Sequence, residues 1–327
     1  MTKKPVATAS LVFCLAAITQ ARSPINLDAL QRDGYGVVPI KYPRPNELVI
    51  RAMINDRAVS LILDTGWSGR GSGISLDRDL ARALKVQAAP VTGAGRTWTG
   101  ATTGNEMVAL GNSIVMGNAK ITGVPLYFGN YTGLHSHTSF TTAGERIEYE
   151  SKGERGFISI GFLRATSAII DLANFQLYLR PPGTGRRAML DQALKEIGFA
   201  EIPLTGVADR HFVVDVEING VSGKMVLDTG TYVTVVDQQF ASKTKLGRWS
   251  LKMYGGDAAG NVRQSEVGKV QSFKVGGVPV YLPDVTVTST ALGNWNLAGL
   301  LGMDLLGQNR GIIDCGAQKL YLVKGVH

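Results

Sequence analysis

The chain is poor in the residues that staple, ligate or titrate. Only two cysteines occur in 327 residues, Cys14 and Cys315. The first falls in a segment read below as a removable leader, so Cys315 is left alone. No intrachain disulfide can then hold the mature fold, and its stability must come from a core. Histidine is nearly as scarce, with four in all. His135 and His137 form a close pair, but no third ligand cluster lies nearby, so the pattern of a metal site is missing and residues 129–153 read as an exposed loop. Positive residues outnumber negative ones by 34 to 26 for a net charge of +8. Apart from Arg186-Arg187 they are scattered, with no basic stripe interleaved with aromatics, which argues against a nucleic-acid partner. The apolar stretch from Val6 to Ile18 is too short to span a bilayer.

What is present begins with that stretch. Lys3 and Lys4 precede it and Thr19-Gln20-Ala21 follows it, the layout of a secretory signal over residues 1–21. The reading implies a secreted or periplasmic protein. A signal retained as an anchor is the alternative, and without it no stable membrane association is expected. Forty glycines against 24 aromatic residues suit a strand-rich fold with many tight turns.

Two near-identical stretches organise the rest. Leu61-Ile62-Leu63-Asp64-Thr65-Gly66 and Met225-Val226-Leu227-Asp228-Thr229-Gly230 both run an apolar strand into Asp-Thr-Gly. The offset is 228 − 64 = 164 residues, and without a gap it also lays Val38-Pro39-Ile40 on Ile202-Pro203-Leu204 and Ile54-Asn55 on Ile218-Asn219. A second correspondence, at 314 − 171 = 143, lays Gly156-Phe157-Ile158-Ser159 and Ile169-Ile170-Asp171 on Gly299-Leu300-Leu301-Gly302 and Ile312-Ile313-Asp314. The chain is an internal repeat. Each half offers one carboxyl on a strand end, followed by a small hydroxyl residue and a glycine that permits a sharp turn. Two such turns face to face bring two carboxyls within hydrogen-bond reach. They cannot both ionise, so they share a proton and can hold a water between them.

In these motifs the chain resembles the aspartic proteases of the pepsin and retropepsin group. The resemblance covers roughly residues 37–322 and implies a mostly β fold of two homologous β-barrel-like lobes with the active site between them. It implies an endopeptidase acting on polypeptide substrate through Asp64 and Asp228, without cofactor or metal, and sufficient as a monomer. Thr65 and Thr229 match threonines that bond across the lobe interface. Gly66 and Gly230 supply backbone N–H groups near the carboxylates, and Thr231 donates a hydroxyl to its acid. The flap hairpin of the group falls on Gly93, Gly95 and Trp98. The chain departs from the pattern at Trp67, which stands where Thr231 stands in the second half, and at Ser159, which replaces the bracing glycine found at Gly302. Loss of a hydroxyl donor at Trp67 is expected to raise the pKa of Asp64. These departures support a second reading, a pseudo-protease that binds extended peptides in the same cleft.

The domain order that follows is a signal over 1–21, an irregular arm over 22–36, a first lobe over 37–180, a linker and helix over 181–199, and a second lobe over 200–327. Helical spacing is read over Leu76 to Val86, through Leu76, Leu80, Ala83 and Leu84. A second helix is read over Ala188 to Ile197, with Met189, Leu190, Leu194 and Ile197 on one side. Met253-Tyr254-Gly255-Gly256 reads as the second-lobe turn that corresponds to the flap.

Overall fold

The computed structural model describes residues 25–42, 47–92, 104–131, 134, 136–140, 146–150, 153–185, 189–207, 211–257 and 261–323. The chain forms two β lobes and a sheet shared between them. In lobe one the strands run in the order Val49–Ile54, Arg57–Leu63, Glu154–Ile158, Ile74–Asp77, Ala119–Gly129, Met107–Met116 and Ala89–Pro90. Val49–Ile54 also pairs with Met107–Met116, which closes the sheet on itself as a barrel. Lobe two follows the same order with His211–Ile218, Val221–Leu227, Gly299–Leu301, Val235–Asp237, Asp284–Thr288, Val262–Lys269 and Gly247–Gly256. The pairing that closes lobe one has a counterpart on a separate strand here: Phe273–Val275 pairs with His211–Ile218 where Ile114–Met116 pairs in lobe one.

Local chemistry explains the first hairpins. Asn55 and Asp56 have φ of 45° and 64°, and Asn219 and Gly220 have 49° and 82°. Two successive left-handed residues make the turn whose twist matches a β-hairpin. Each asparagine also ties the turn to a neighbouring strand: Ser113 N donates to Asn55 Oδ1 at 3.3 Å, and Ser272 N to Asn219 Oδ1 at 3.0 Å. A continuous apolar core spans both lobes, and it includes Leu61, Leu63, Leu227 and Leu301, all at 0% exposure. Burial on that scale stabilises by about 1.5–3 kcal/mol per large side chain.

Six strands join the lobes, in the order Gly36–Pro39, Gln176–Leu179, Ile169–Asp171, Ile312–Asp314, Lys319–Val323 and Phe199–Pro203. The central pairing is antiparallel, with Ile169 opposite Asp314, Ile170 opposite Ile313, and Asp171 opposite Ile312. A pseudo-twofold relation passes through the Ile170–Ile313 pair.

Several local expectations are corrected. The arm before Gly36 is not irregular: Leu27–Arg32 is a helix capped by Asn26, and Ile25, Leu30 and Tyr35 are buried with Tyr178, Leu194, Phe199 and Tyr321. The helical span over Leu76 to Val86 splits into a strand, Ile74–Asp77, and a short helix, Leu80–Ala83. Leu76 is apolar because both faces of its strand are covered, which periodicity cannot tell from a helix stripe. In the linker the helix is Asp191–Glu196; it buries Leu190 and Leu194, while Met189 and Ile197 stand 84% and 52% exposed. The segment read as a loop around His135 and His137 contains a hairpin of Ser136–Phe140 with Arg146–Glu150. Gly255 and Gly256 lie within a paired strand, opposite Arg263 and Val262, and not at its turn. Among the described residues no helix is long and apolar enough to cross a membrane, and no cluster of three or more metal-ligating side chains occurs.

Candidate active site

Two strands deliver the carboxyls. Arg57–Leu63 runs parallel to Glu154–Ile158, and Val221–Leu227 runs parallel to Gly299–Leu301. At the end of each pair the acid's own amide is held by the bracing strand: Asp64 N donates to Ile158 O at 3.1 Å, and Asp228 N to Leu301 O at 3.0 Å. Both acids therefore leave their sheets at equivalent points.

The threonines lock the two turns together across the lobes. Thr65 Oγ1 donates to Leu227 O at 2.8 Å and accepts from Thr229 N at 3.0 Å. Thr229 Oγ1 donates to Leu63 O at 2.7 Å and accepts from Thr65 N at 3.0 Å. Both residues are at 0% exposure, so these four bonds form out of water, where leaving any partner unmet is costly.

The glycines serve a purpose the sequence did not disclose. Neither Gly66 nor Gly230 has a positive φ, so the turn does not require glycine. A Cβ on Gly66 would lie 2.2 Å from Asp228 Cγ, and one on Gly230 would lie 2.4 Å from Asp64 Cγ. Each glycine makes room for the carboxyl of the opposite lobe. Gly230 N also donates to Asp228 Oδ1 at 2.9 Å.

The two carboxyls face each other closely enough that each bears on the other's proton. Burial, and then the neighbouring charge of Asp228, push the Asp64 carboxyl well above the usual carboxylate range, while the N–H groups of Trp67 and Gly66 pull it down. The direction agrees with the sequence expectation. Its cause differs, since burial comes first and Trp67 itself supplies a donor: its backbone N–H reaches Asp64 Oδ1 at 2.8 Å. In lobe two Thr231 Oγ1 donates to Asp228 Oδ2 at 2.7 Å.

The indole of Trp67 turns away from the acid. Its Nε1 donates to Ser75 Oγ at 2.8 Å, and its ring packs in a buried cluster with Ile62, Tyr131, Leu134 and Phe157. Ser159 does not loosen the brace either. Its hydroxyl donates to Gly73 O at 2.9 Å and caps the helix Ile160–Ala165. Its bulk fits because Gly69, with φ of 54°, presents no side chain; a Cβ there would come within 2.8 Å of Ser159 Cβ. In lobe two Val233 stands where lobe one has Gly69, and its main chain approaches the brace so closely that a Cβ on Gly302 would lie 2.5 Å from Val233 C.

Gly93, Gly95 and Trp98 lie outside the described residues. The base of that hairpin is described, with Ala89 opposite Val108 and Val91 N donating to Glu106 O at 3.0 Å. Sequence reading passed over Glu47 and His211, which the 164-residue offset makes counterparts. Tyr232 Oη donates to Glu47 Oε1 at 3.0 Å, a contact from the residue after Thr231 to the other lobe. The offset itself was the available signal.

Comparison with known proteins agrees with this geometry. Residues 214–308, the stretch holding Asp228, match the family described as "gag-polyprotein putative aspartyl protease". The second lobe is thus similar to an aspartyl protease family of retroviral type. Two fungal proteins named DNA damage-inducible protein 1 are similar to parts of this chain. The one from Chaetomium globosum is 29% identical over 113 residues, 35% of this chain and 24% of the relative. The one from Neurospora crassa is 29% identical over 109 residues, 33% of this chain and 24% of the relative. The chain spans about a quarter of the length of these curated relatives. Among solved structures, basic 7S globulin from soybean shares the fold at a TM-score of 0.51 and 10% identity, over 89% of this chain and 95% of that one. An aspartic proteinase from Irpex lacteus aligns over 89% of this chain and 98% of its own, with a TM-score of 0.48 and 13% identity.

Proposed function

We propose that the protein is an aspartic endopeptidase whose Asp64 and Asp228 activate one water for attack on a peptide carbonyl. The observation that carries this reading is the pair of carboxyls brought face to face, each seated against the opposite glycine, on turns cross-locked by Thr65 and Thr229. A scaffold would need neither acid nor the glycines that seat them.

Burial of Asp64 and the facing charge of Asp228 assign the roles. Asp64 keeps the shared proton, and Asp228, with Gly230 N–H and the Thr231 hydroxyl on it, carries the charge. Asp228 takes a proton from the water as its oxygen bonds to the carbonyl carbon, and Asp64 gives its proton to the carbonyl oxygen. A neutral gem-diol results, with the protonation of the pair reversed. Collapse breaks the C–N bond: Asp228 returns its proton to the amine nitrogen, and Asp64 takes one from a gem-diol hydroxyl. The pair is thereby regenerated.

Titration with a pepstatin-type inhibitor tests the site, alongside hydrolysis of a quenched peptide library. Stoichiometric, inhibitor-sensitive turnover is the expected result. Peptide binding without turnover would replace this reading with the peptide-binding module. We further infer that residues 1–21 direct export and that one chain suffices; N-terminal sequencing of exported protein and its sedimentation mass check these two points.

A further inference from the structure

The strand that leads to Asp228 shares its sheet with residues for which the dyad chemistry has no use. The strand register sets Val213 opposite Val226. Two residues further along, His211 begins its strand and Asp228 follows directly on the end of Val221–Leu227, so that continuing the register brings the two level. Beneath them lies a small buried cluster of Val213, Val226, Val235, Leu292, Leu297 and Leu300. Leu292 and Leu297 anchor the turn Leu292–Trp295 on this cluster. Trp295, at its end, is 55% exposed, and its ring centroid is 6.3 Å from that of His211 with the planes inclined by 31°. A lone exposed indole is ordinary. This one is held by an anchored turn against the imidazole that stands level with the acid.

Lobe one treats the same face differently. Ile62 and Phe157 are the counterparts of Val226 and Leu300, and Trp67, Tyr131 and Leu134 complete the cluster. Trp67 stacks on Phe157 at 5.4 Å, and Tyr131 meets the two rings edge-on at 5.6 and 5.5 Å. None of the five is more than 6% exposed. These rings satisfy one another.

We infer that side-chain selectivity in the cleft is one-sided: Trp295 and His211 of lobe two hold an aromatic side chain of an extended peptide beside Asp228, with no matching aromatic lip among the described residues of lobe one. This rests on the proposed reading in one respect, that a peptide lies across the dyad. Such a peptide turns every second side chain to the same wall. A ring laid on the free face of Trp295 gains offset or edge contact beyond simple area burial.

The test uses the full chain and a quenched peptide library varied on each side of the cleaved bond, with Trp295→Ala, Trp295→Phe and His211→Ala beside the parent. Binding of the same peptides, fluorescently labelled, is measured on Asp64→Asn protein, with and without Trp295→Ala. The parent should demand an aromatic residue at one position on one side only. Trp295→Ala should lower kcat/KM for those peptides about 5- to 10-fold, mostly through KM, while peptides with alanine at that position change less than about twofold. His211→Ala should lower the aromatic preference by a smaller factor, and Trp295→Phe should restore most of it. Equal selectivity on both sides, or a preference untouched by Trp295→Ala, overturns this inference and leaves the protease reading standing. Failure to bind or cut any peptide overturns both.

Discussion

Lobe one has an indole, Trp67, where lobe two has the hydroxyl of Thr231, and a serine, Ser159, where lobe two has Gly302. Both lobes nonetheless hold their acid through the same strand, the same brace and the same crossed threonine. The difference shows which parts of the scaffold are obligatory. Backbone bonds to the acid's own amide and the Thr–Thr lock are kept without change. Donors to the carboxylate are interchangeable, since a main-chain N–H serves Asp64 and a hydroxyl joins one at Asp228. Packing behind the turn differs between the lobes: Ser159 fits because Gly69 has no side chain, while Gly302 is required by the main chain of Val233.

The strongest way to break the symmetry is at the acids. Asp64→Asn and Asp228→Asn should each lower turnover by about 10³-fold or more, while circular dichroism stays that of the parent. A variant that keeps near-parental activity would remove its residue from the dyad. Next in size is the lock. Thr65→Val and Thr229→Val each strand a buried carbonyl and a buried N–H, so each should cost about 2–4 kcal/mol in denaturant unfolding. The two costs should match within about 0.5 kcal/mol; a large inequality would mean the lobes do not share the lock equally.

The packing exchange gives a smaller, directional contrast. Gly302→Ser drives a Cβ into the backbone of Val233 and should cost about 2–3 kcal/mol. Ser159→Gly loses a helix cap and should cost about 1 kcal/mol. Adding Val233→Gly to Gly302→Ser should recover little of the loss, because the atoms in the way are main-chain atoms that glycine keeps.

The smallest effect is on pH dependence. Asp64 binds its proton more tightly in the folded protein than in the unfolded chain, because its carboxyl is held above the ordinary range. The stability linked to that proton is complete below the ordinary carboxyl pKa and is lost as pH rises through the raised value. Asp64→Asn has no such loss. Its melting temperature should exceed the parent's at neutral pH by about 2–4 °C, the shift that about 1 kcal/mol produces in a domain of this size, and the gap should narrow on acidification. A gap that widens in acid would reverse the assignment of the proton to Asp64.

Fold class was legible because duplication made it so: two Asp-Thr-Gly strands and two closing strands at fixed offsets cannot be periodic by accident. Strand-ending motifs carry local, short-range signals, and Asn55-Asp56 and Asn219-Gly220 declared their hairpins outright. Reading failed where the deciding contact is remote in sequence. Leu76 looked helical because its coverage comes from strands more than 40 residues away, Ala119–Gly129 and Glu154–Ile158. The segment before Gly36 looked irregular because Ile25, Leu30 and Tyr35 find their partners at Tyr178, Leu194 and Tyr321. At the site, the two acids announced themselves, but the need for Gly66 and Gly230 did not. That need is set by carboxyls 162 and 166 residues away, each in a lobe that the local sequence cannot see. Trp67 announced the missing hydroxyl and concealed the backbone donor that replaces it.

The pairing of Ile170 with Ile313 also sets an order of events. Residues 143 positions apart must meet before the shared sheet has a centre, and contacts of such long range form late and slowly. Until the chain as far as Val323 has been made, Phe199–Pro203 lacks its neighbour Lys319–Val323, and Asp228 lacks the brace of Leu301. A growing chain therefore carries its first acid complete for a long interval without the second in place. The closing strands of lobe two, Gly299–Leu301 and Lys319–Val323, act as a timing device, withholding the paired carboxyls until both lobes have closed around them.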